Sequence, residues 1–243
     1  MIIQAISDTH MQHIQAVKPQ NADILIHCGD FTHTGGELDH NRFMKWYGSI
    51  PATKRYALPG NHDLQFTGGV NWYTKEAGES STYPPLMDRR VDPATEGVTM
   101  LPPLGITEEE DYIILSVAYT PHINDYWGFY TPSVTEARVM YEDFARRIEK
   151  VQFGDKKVIF VSHGPMSGAN DTLERSGKRV GCIEQAEAFR KGLLPAFDLY
   201  LCGHIHEGAG PILEGEYENM HNVAFCDRFN HPVKGRGFVR FNL

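Results

Sequence analysis

An α/β fold is the class this sequence predicts, and three observations predict it. Short runs rich in Ile, Val, Leu and Tyr recur along the chain, stretches with helical spacing alternate with them, and the runs end in compact polar clusters. That is the pattern of buried strands delivering loops to a common rim. With 243 residues, 41% of them hydrophobic, the chain needs no disulfide to hold its core, and one domain over 1–243 is expected.

The elements follow in order. A strand is expected over 2–6, running into Ser7-Asp8-Thr9-His10. A second, over 22–28, runs into Gly29-Asp30, and a helix over 38–47 carries Phe43, Met44 and Trp46. A strand over 54–58 leads to Pro59-Gly60-Asn61-His62-Asp63. The segment 66–103, rich in Gly, Pro, Ser and Thr, reads either as an excursion within the domain or as a long surface loop. A strand over 113–118 precedes Tyr119-Thr120-Pro121-His122, and a helix over 134–151 places Val139, Phe144 and Ile148 at helical spacing. A strand over 157–161 leads to Ser162-His163-Gly164-Pro165, a helix covers 182–193, and a strand over 199–202 leads to Gly203-His204-Ile205-His206. Closing strands are expected at 223–225 and 238–241, around an Asn230-His231-Pro232 turn.

Charge and composition exclude several classes. Acidic residues outnumber basic ones 31 to 23, a net charge of −8, which is the wrong sign for holding duplex nucleic acid by counterion release. No apolar stretch approaches the ~20 residues that cross a bilayer, and no basic region precedes a hydrophobic one at the N-terminus, so no membrane partner and a cytoplasmic location are expected. Cys28, Cys182, Cys202 and Cys226 are scattered without CxxC spacing, which fits reduced thiols better than a disulfide framework or a thiolate zinc site.

The polar clusters carry the chemistry. Asp8, His10, Asp30, Asn61, His163, His204 and His206 are imidazoles and carboxylates with one amide. Such a set suits manganese, iron or zinc, whereas calcium or magnesium prefers oxygen throughout. Seven donors are too many for one tetrahedral ion, and a pair of ions roughly 3.5–4 Å apart uses them comfortably. Ligands in α/β folds collect beyond the carboxyl ends of strands, where every cluster sits. Taken singly each has a plainer reading: a helix cap beside a surface histidine for Asp8-Thr9-His10, turn residues for Asp30 and Asn61, a core histidine for His163. Five clusters in order after strands outweigh those readings.

The ordered set DxH, GD, GNHD, H and GHxH, from Asp8 to His206, resembles the calcineurin-like metallophosphoesterase superfamily. Tyr119-Thr120-Pro121, Trp127-Gly128-Phe129, Arg179-Val180-Gly181-Cys182 and the run 203–208 are similar to its small metallophosphoesterase-domain-containing branch, which includes phosphodiesterases acting on cyclic nucleotides and model diesters. The resemblance implies a four-layer α/β/β/α sandwich with its metal site at the strand C-terminal ends. It implies two divalent ions: Asp8, His10, Asp30 and His206 on one, Asp30, Asn61, His163 and His204 on the other, with Asp30 bridging and His62 beside the leaving group as catalytic residue. Two adjacent positions depart from the pattern. Where many members continue the second motif as GDxxDR, this chain has His33 in place of the carboxylate that supports the catalytic histidine, and Thr34 in place of the arginine. His62 must then find another orienting partner, His33 or none.

The expected activity is hydrolysis of small phosphodiesters, cyclic nucleotides or related compounds, with manganese as first choice of metal. Two ions lower the pKa of a bridging water and clamp the attacking and leaving oxygens, and a histidine, with its ordinary pKa near ~6.5, suits proton donation to a departing alkoxide. The alternatives are a phosphomonoesterase, a metal-dependent nuclease and a catalytically silent binding scaffold. His33, Asn124 and Trp127 are candidate substrate contacts; the aromatics of the 119–130 segment either stack on a base or pack the loop itself. Lys178 and Arg179 either contact a phosphate or form a solvated turn, and His27 is expected to pack beneath the site.

Overall fold

The computed structural model describes residues 1–19, 21–64, 97–121, 127–131, 133–213 and 219–243. Two mixed sheets carry the architecture. The first contains β1 (Ile2–Ile6), β2 (Ala22–His27), β3 (Ala52–Ala57), β4 (Thr99–Met100) and β13 (Val239–Asn242), in the order β13-β1-β2-β3-β4. All its pairs are parallel except β1 with β13. The second contains β5 (Leu104–Glu108), β6 (Tyr112–Val117), β9 (Lys157–Ser162), β10 (Leu199–Cys202), β11 (Gly210–Pro211) and β12 (Met220–Asn222), in the order β11-β12-β10-β9-β6-β5. Here β6, β9, β10 and β12 are parallel, with antiparallel edges at β5 and β11. β7 (Thr120–Pro121) and β8 (Tyr130–Thr131) pair separately. The helices are α1 (Glu37–Gly48), α2 (Val134–Ile148) and α3 (Ile183–Arg190).

Strand alternation builds the layers. In β6, β9 and β10, Ile114, Ile159, Val161, Leu199 and Leu201 share one cluster with Ile3, Ala5 and Leu25 of the first sheet. Their neighbours Ile113, Leu115, Val117, Phe160 and Tyr200 turn the other way, onto Tyr141 and Phe144 of α2 and Phe189 of α3. Side chains two apart lie on one face, so a strand buried on both faces reads as a continuous apolar run. On the far side of the first sheet α1 lays down Phe43 and Tyr47, stacked with centroids 5.2 Å apart. The expected α/β/β/α layering is the arrangement observed. α2 begins where Ser133 caps it, its side chain accepting the Glu136 N–H.

Three sequence expectations shift. Residues 223–225 are buried but do not form a strand; β12 lies just before them, and Ala224 makes a single bridge to Ser7. Apolar character there reports burial at a junction, not ladder pairing. The helix expected to 151 ends at Ile148, and the one expected over 182–193 covers only Ile183–Arg190. Of the irregular segment, 66–96 lies outside the described residues, and the remainder supplies β4. All four cysteines are buried and unpaired. No helix among the described residues is long and apolar enough to cross a membrane.

Candidate metal centre

The site lies on the seam between the two sheets. β1, β2 and β3 end at Asp8 and His10, at Asp30, and at Asn61 and His62; β9 and β10 end at His163 and at His204 and His206. Backbone hydrogen bonds lace these loops together. Asp8 N–H donates to Gly29 O (2.9 Å), His10 N–H to Asp30 O (3.0 Å), and Gly203 N–H to His163 O (2.8 Å). Across the seam Ser7 N–H donates to Val223 O, and Phe225 N–H returns to Ser7 O, each at 2.9 Å.

The chain turns sharply to aim the side chains. Asp8, His10, Asp30 and His204 all adopt positive φ, at 53°, 39°, 57° and 65°. Asp and His enter this region more readily than most residues, yet each such step costs of order 1–3 kcal/mol and persists only where its surroundings hold it. Two glycines make room: a Cβ on Gly60 would overlap Asp30 Oδ1, and one on Gly203 would overlap Asp8 Oδ2.

The structure brings six of the seven expected ligand residues into two groups of mutually close donor atoms. Asp8, His10 and His206 form one, Asp30, His163 and His204 the other, with atoms in each group within 4.8 Å of one another. The seventh, Asn61, joins the second through its Oδ1, 2.9 Å from His163 Nε2. His10, Asp30 and His62 form a third such group, which links the other two through His10 and Asp30. Asp30 Oδ1 lies 3.4 Å from His163 Nε2, while Oδ2 lies 3.7 Å from His10 Nε2 and 4.0 Å from His62 Nε2.

Second partners fix which ring nitrogen faces inward. The Nδ1–H groups of His163, His206 and His62 donate to the carbonyls of Cys28 (2.9 Å), Asp227 (2.5 Å) and His33 (2.8 Å). Each leaves Nε2 pointed into the site, the arrangement that commonly orients metal-ligating imidazoles. His10 Nε2 and His206 Nε2 face each other at 3.3 Å, with Asp8 Oδ1 3.3 Å from the latter. Two imidazole lone pairs and a carboxylate converge there only around a proton or a cation, so these residues fit a divalent ion.

The electrostatics agree. Burial alone would raise Asp8, but His206 and His163 hold its carboxyl well below the usual carboxylate range; Asp30 is likewise held low against burial by His163, His62 and His10. Burial works against His163 and His206, yet Asp30 lifts the former to about 9 and Asp8 lifts the latter to about 8. Burial drops His10 to about 4 and His204 to about 3. A field that keeps protons on two buried imidazoles is one that attracts cations.

Two residues gain roles the sequence did not assign them. Asp63 is fully buried and accepts the N–H groups of Asp30 (2.9 Å), Thr32 (2.9 Å) and Gly60 (2.8 Å), with the Thr32 hydroxyl at 2.7 Å. It ties the Asp30 loop to the Asn61 loop. Arg236 donates to the carbonyl oxygens of His206 (3.0 Å) and Cys226 (2.9 Å), bracing the outer loop. His27 packs beneath the site as expected, and it also bonds: Gly29 N–H donates to its Nδ1 at 3.2 Å, and Thr9 Oγ1 lies 3.1 Å from Nε2. Among the substrate candidates, Trp127 stacks on His62, centroids 3.7 Å apart, and His33 is exposed with its ring 6.1 Å from that of His62. Asn124, with His122 and Tyr126, lies outside the described residues. Lys178 and Arg179 are exposed just beyond a turn, and Arg179 makes an antiparallel bridge to Thr172.

Residues 1–208 match the sequence profile of the calcineurin-like phosphoesterases, and the chain belongs to that family, one of metal-dependent phosphoester hydrolases. It is 27% identical over 234 residues to human metallophosphoesterase domain-containing protein 1, covering 94% of this chain and 67% of that protein. A UPF0046 protein of Caenorhabditis elegans is 26% identical, with 91% and 74% covered. Among solved structures, TT1561 of Thermus thermophilus superposes with a TM-score of 0.55 at 14% identity, covering 92% of this chain and 88% of the other, a likeness of fold.

Proposed function

We propose that the protein is a dinuclear-metal phosphodiesterase acting on small diesters, nucleotides among them, with manganese as its metal and the cytoplasm as its setting. In this reading Asp8, His10, Asp30 and His206 hold one ion and Asp30, Asn61, His163 and His204 the other. The single observation that carries it is the position of Asp30, whose two oxygens face opposite donor groups while His62 Nε2 stands 4.0 Å from Oδ2. Bound there, the pair of ions polarises the phosphoryl oxygens and makes water nucleophilic near neutral pH.

The protein's own groups do the rest. The Asp63 carboxylate and the seam hydrogen bonds keep the donors in place before substrate arrives, so little reorganisation is left to the reaction. His62, its Nδ1–H tied to the His33 carbonyl, directs Nε2 to the leaving side. As the water oxygen bonds to phosphorus and the bond to the leaving oxygen breaks, that oxygen takes the Nε2 proton; the proton the water gives up restores the ring.

Two features support diesters over monoesters and over duplex nucleic acid. Thr34 stands where an arginine would add a cation, and a dianionic monoester gains more from such a charge than a monoanionic diester does. The net charge of −8 supports a small substrate over a duplex. The four buried, unpaired thiols suit a reducing compartment. The test compares kcat/KM for bis(p-nitrophenyl) phosphate, cyclic nucleotides and p-nitrophenyl phosphate with manganese and after chelation. Preference for diesters, lost on chelation, is expected; a monoester preference would overturn the substrate class, and full turnover without metal the whole reading.

A further inference from the structure

A single hydrogen bond at Nδ1 fixes one point of an imidazole and leaves its plane free to tilt, and tilting swings Nε2 away from its target. His62 has the His33 carbonyl at Nδ1, a neutral acceptor that holds a ring less firmly than a carboxylate would. Among the described residues, a further restraint comes from a distant part of the chain. The indole of Trp127 lies over the His62 ring with the two planes 26° apart, while His10 meets the same ring edge-on at 4.6 Å.

The indole is itself held. Gly128 N–H donates to Asn61 O at 2.9 Å, so the residue after the tryptophan is bonded to the residue before the histidine. Phe129 O accepts the Thr120 N–H at 2.9 Å, anchoring the segment to β7, and the Phe129 ring packs edge-on against Tyr119 at 5.8 Å. Gly128 and Phe129 are buried. The indole therefore travels with the loop that carries His62.

We propose that Trp127 is a positioning residue for His62: the stacked indole sets the plane of the imidazole so that Nε2 faces the leaving oxygen. This rests on the reading of His62 as proton donor. It also reassigns Trp127, whose expected partner was a substrate base, because the surface nearest its ring is a side chain of the protein. Stacked aromatic pairs contribute a factor of roughly 2 to 10 in an equilibrium, so loss of the indole should lower the productive fraction of His62 by about that much.

The experiment pairs spectroscopy with kinetics. In the chelated protein the His62 ring protons should resonate upfield under the indole ring current and move downfield in Trp127→Ala, with Trp127→Phe in between. In manganese-loaded protein, Trp127→Ala should lower kcat by up to about tenfold for a diester with a poor alkoxide leaving group, and less for a p-nitrophenyl diester. KM and metal content should stay near wild type, and Trp127→Phe should restore most of the rate. Unshifted His62 resonances would overturn the proposal, as would a loss expressed in KM and equal for all leaving groups, which marks a substrate contact. Wild-type protein that hydrolyses no diester would instead overturn the functional reading, and the resonances alone would then decide whether the indole holds the ring.

Discussion

The carboxylate of Asp63 accepts the backbone N–H of Asp30 at 2.9 Å, so the residue placed between the two donor groups is held through its main chain by a residue 33 positions away. Four further donors, Gly60 N–H, Phe31 N–H, Thr32 N–H and the Thr32 hydroxyl, share the same carboxylate. Asp63→Ala strands these groups in a fully buried place. At ~1–3 kcal/mol for each unsatisfied donor, the variant should lose at least about 3 kcal/mol of stability and bind metal poorly. Asp63→Asn, which keeps one acceptor oxygen, should fall between. Denaturant unfolding and metal analysis of both variants check this; an Asp63→Ala protein as stable and metal-replete as wild type would remove Asp63 from the account.

Asp30→Ala should be more damaging than Asp8→Ala or His206→Ala. Among the described carboxylates Asp30 alone faces both donor groups, whereas Asp8 and His206 belong to one. Metal stoichiometry separates the cases: near one ion per chain for the latter two and near none for the first. Two ions retained by Asp30→Ala would contradict the bridging position.

His62→Ala should keep both ions and lose rate in proportion to the basicity of the leaving group, by roughly 10²–10⁴ for an alkoxide and less for p-nitrophenolate. His33→Ala should cost far less, because His33 holds His62 through its main-chain oxygen while its own side chain is exposed. The comparison is kcat for the two variants on both kinds of diester. A His33→Ala loss equal to that of His62→Ala would mean the exposed ring takes part.

Metal affinity should rise with pH between about 7 and 9. In the ion-free site burial would depress His206 and His163, but Asp8 and Asp30 hold them at about 8 and about 9, and each must shed its Nε2 proton to bind an ion. Both folded values lie above the ordinary histidine value, so the stability these groups lend the ion-free protein is complete below pH ~6.5 and is lost as pH climbs through 8 and 9. Calorimetric titration with manganese at pH 7, in two buffers of different ionisation enthalpy, should show protons released. Binding without proton release would contradict the protonated state of the pair.

Much of this was legible from the linear pattern, and the rest was not for identifiable reasons. β1 and β10 fall where the apolar runs placed them, because strands buried on both faces leave mostly hydrophobic runs, broken in β1 only by Gln4. β5 escaped notice: its five residues are mostly half-buried at a sheet edge, so neither a continuous run nor a clean alternation marks it. The donor residues were visible because metal-binding chemistry demands particular side chains at turns. Asp63 sat in the same motif, but what it does depends on N–H groups contributed by residues 30 to 32, and backbone donors leave no mark on a sequence. The Trp127 stack on His62 was hidden for the same reason, the two being near only in space.

The seam position of the site has a thermodynamic consequence. Asp8 and His10 hang from one sheet and His206 from the other, and the same split divides Asp30 and Asn61 from His163 and His204. An ion held by either set is a rivet through both sheets, and any fluctuation that parts them must first break its coordination. Because the unfolded chain offers no such cage, saturation to 100 times the dissociation constant should add about 2.7 kcal/mol to the free energy of unfolding. Amide exchange should slow most at the ends of β1 and β10, and metal occupancy becomes readable as a rise in melting temperature, with no substrate present.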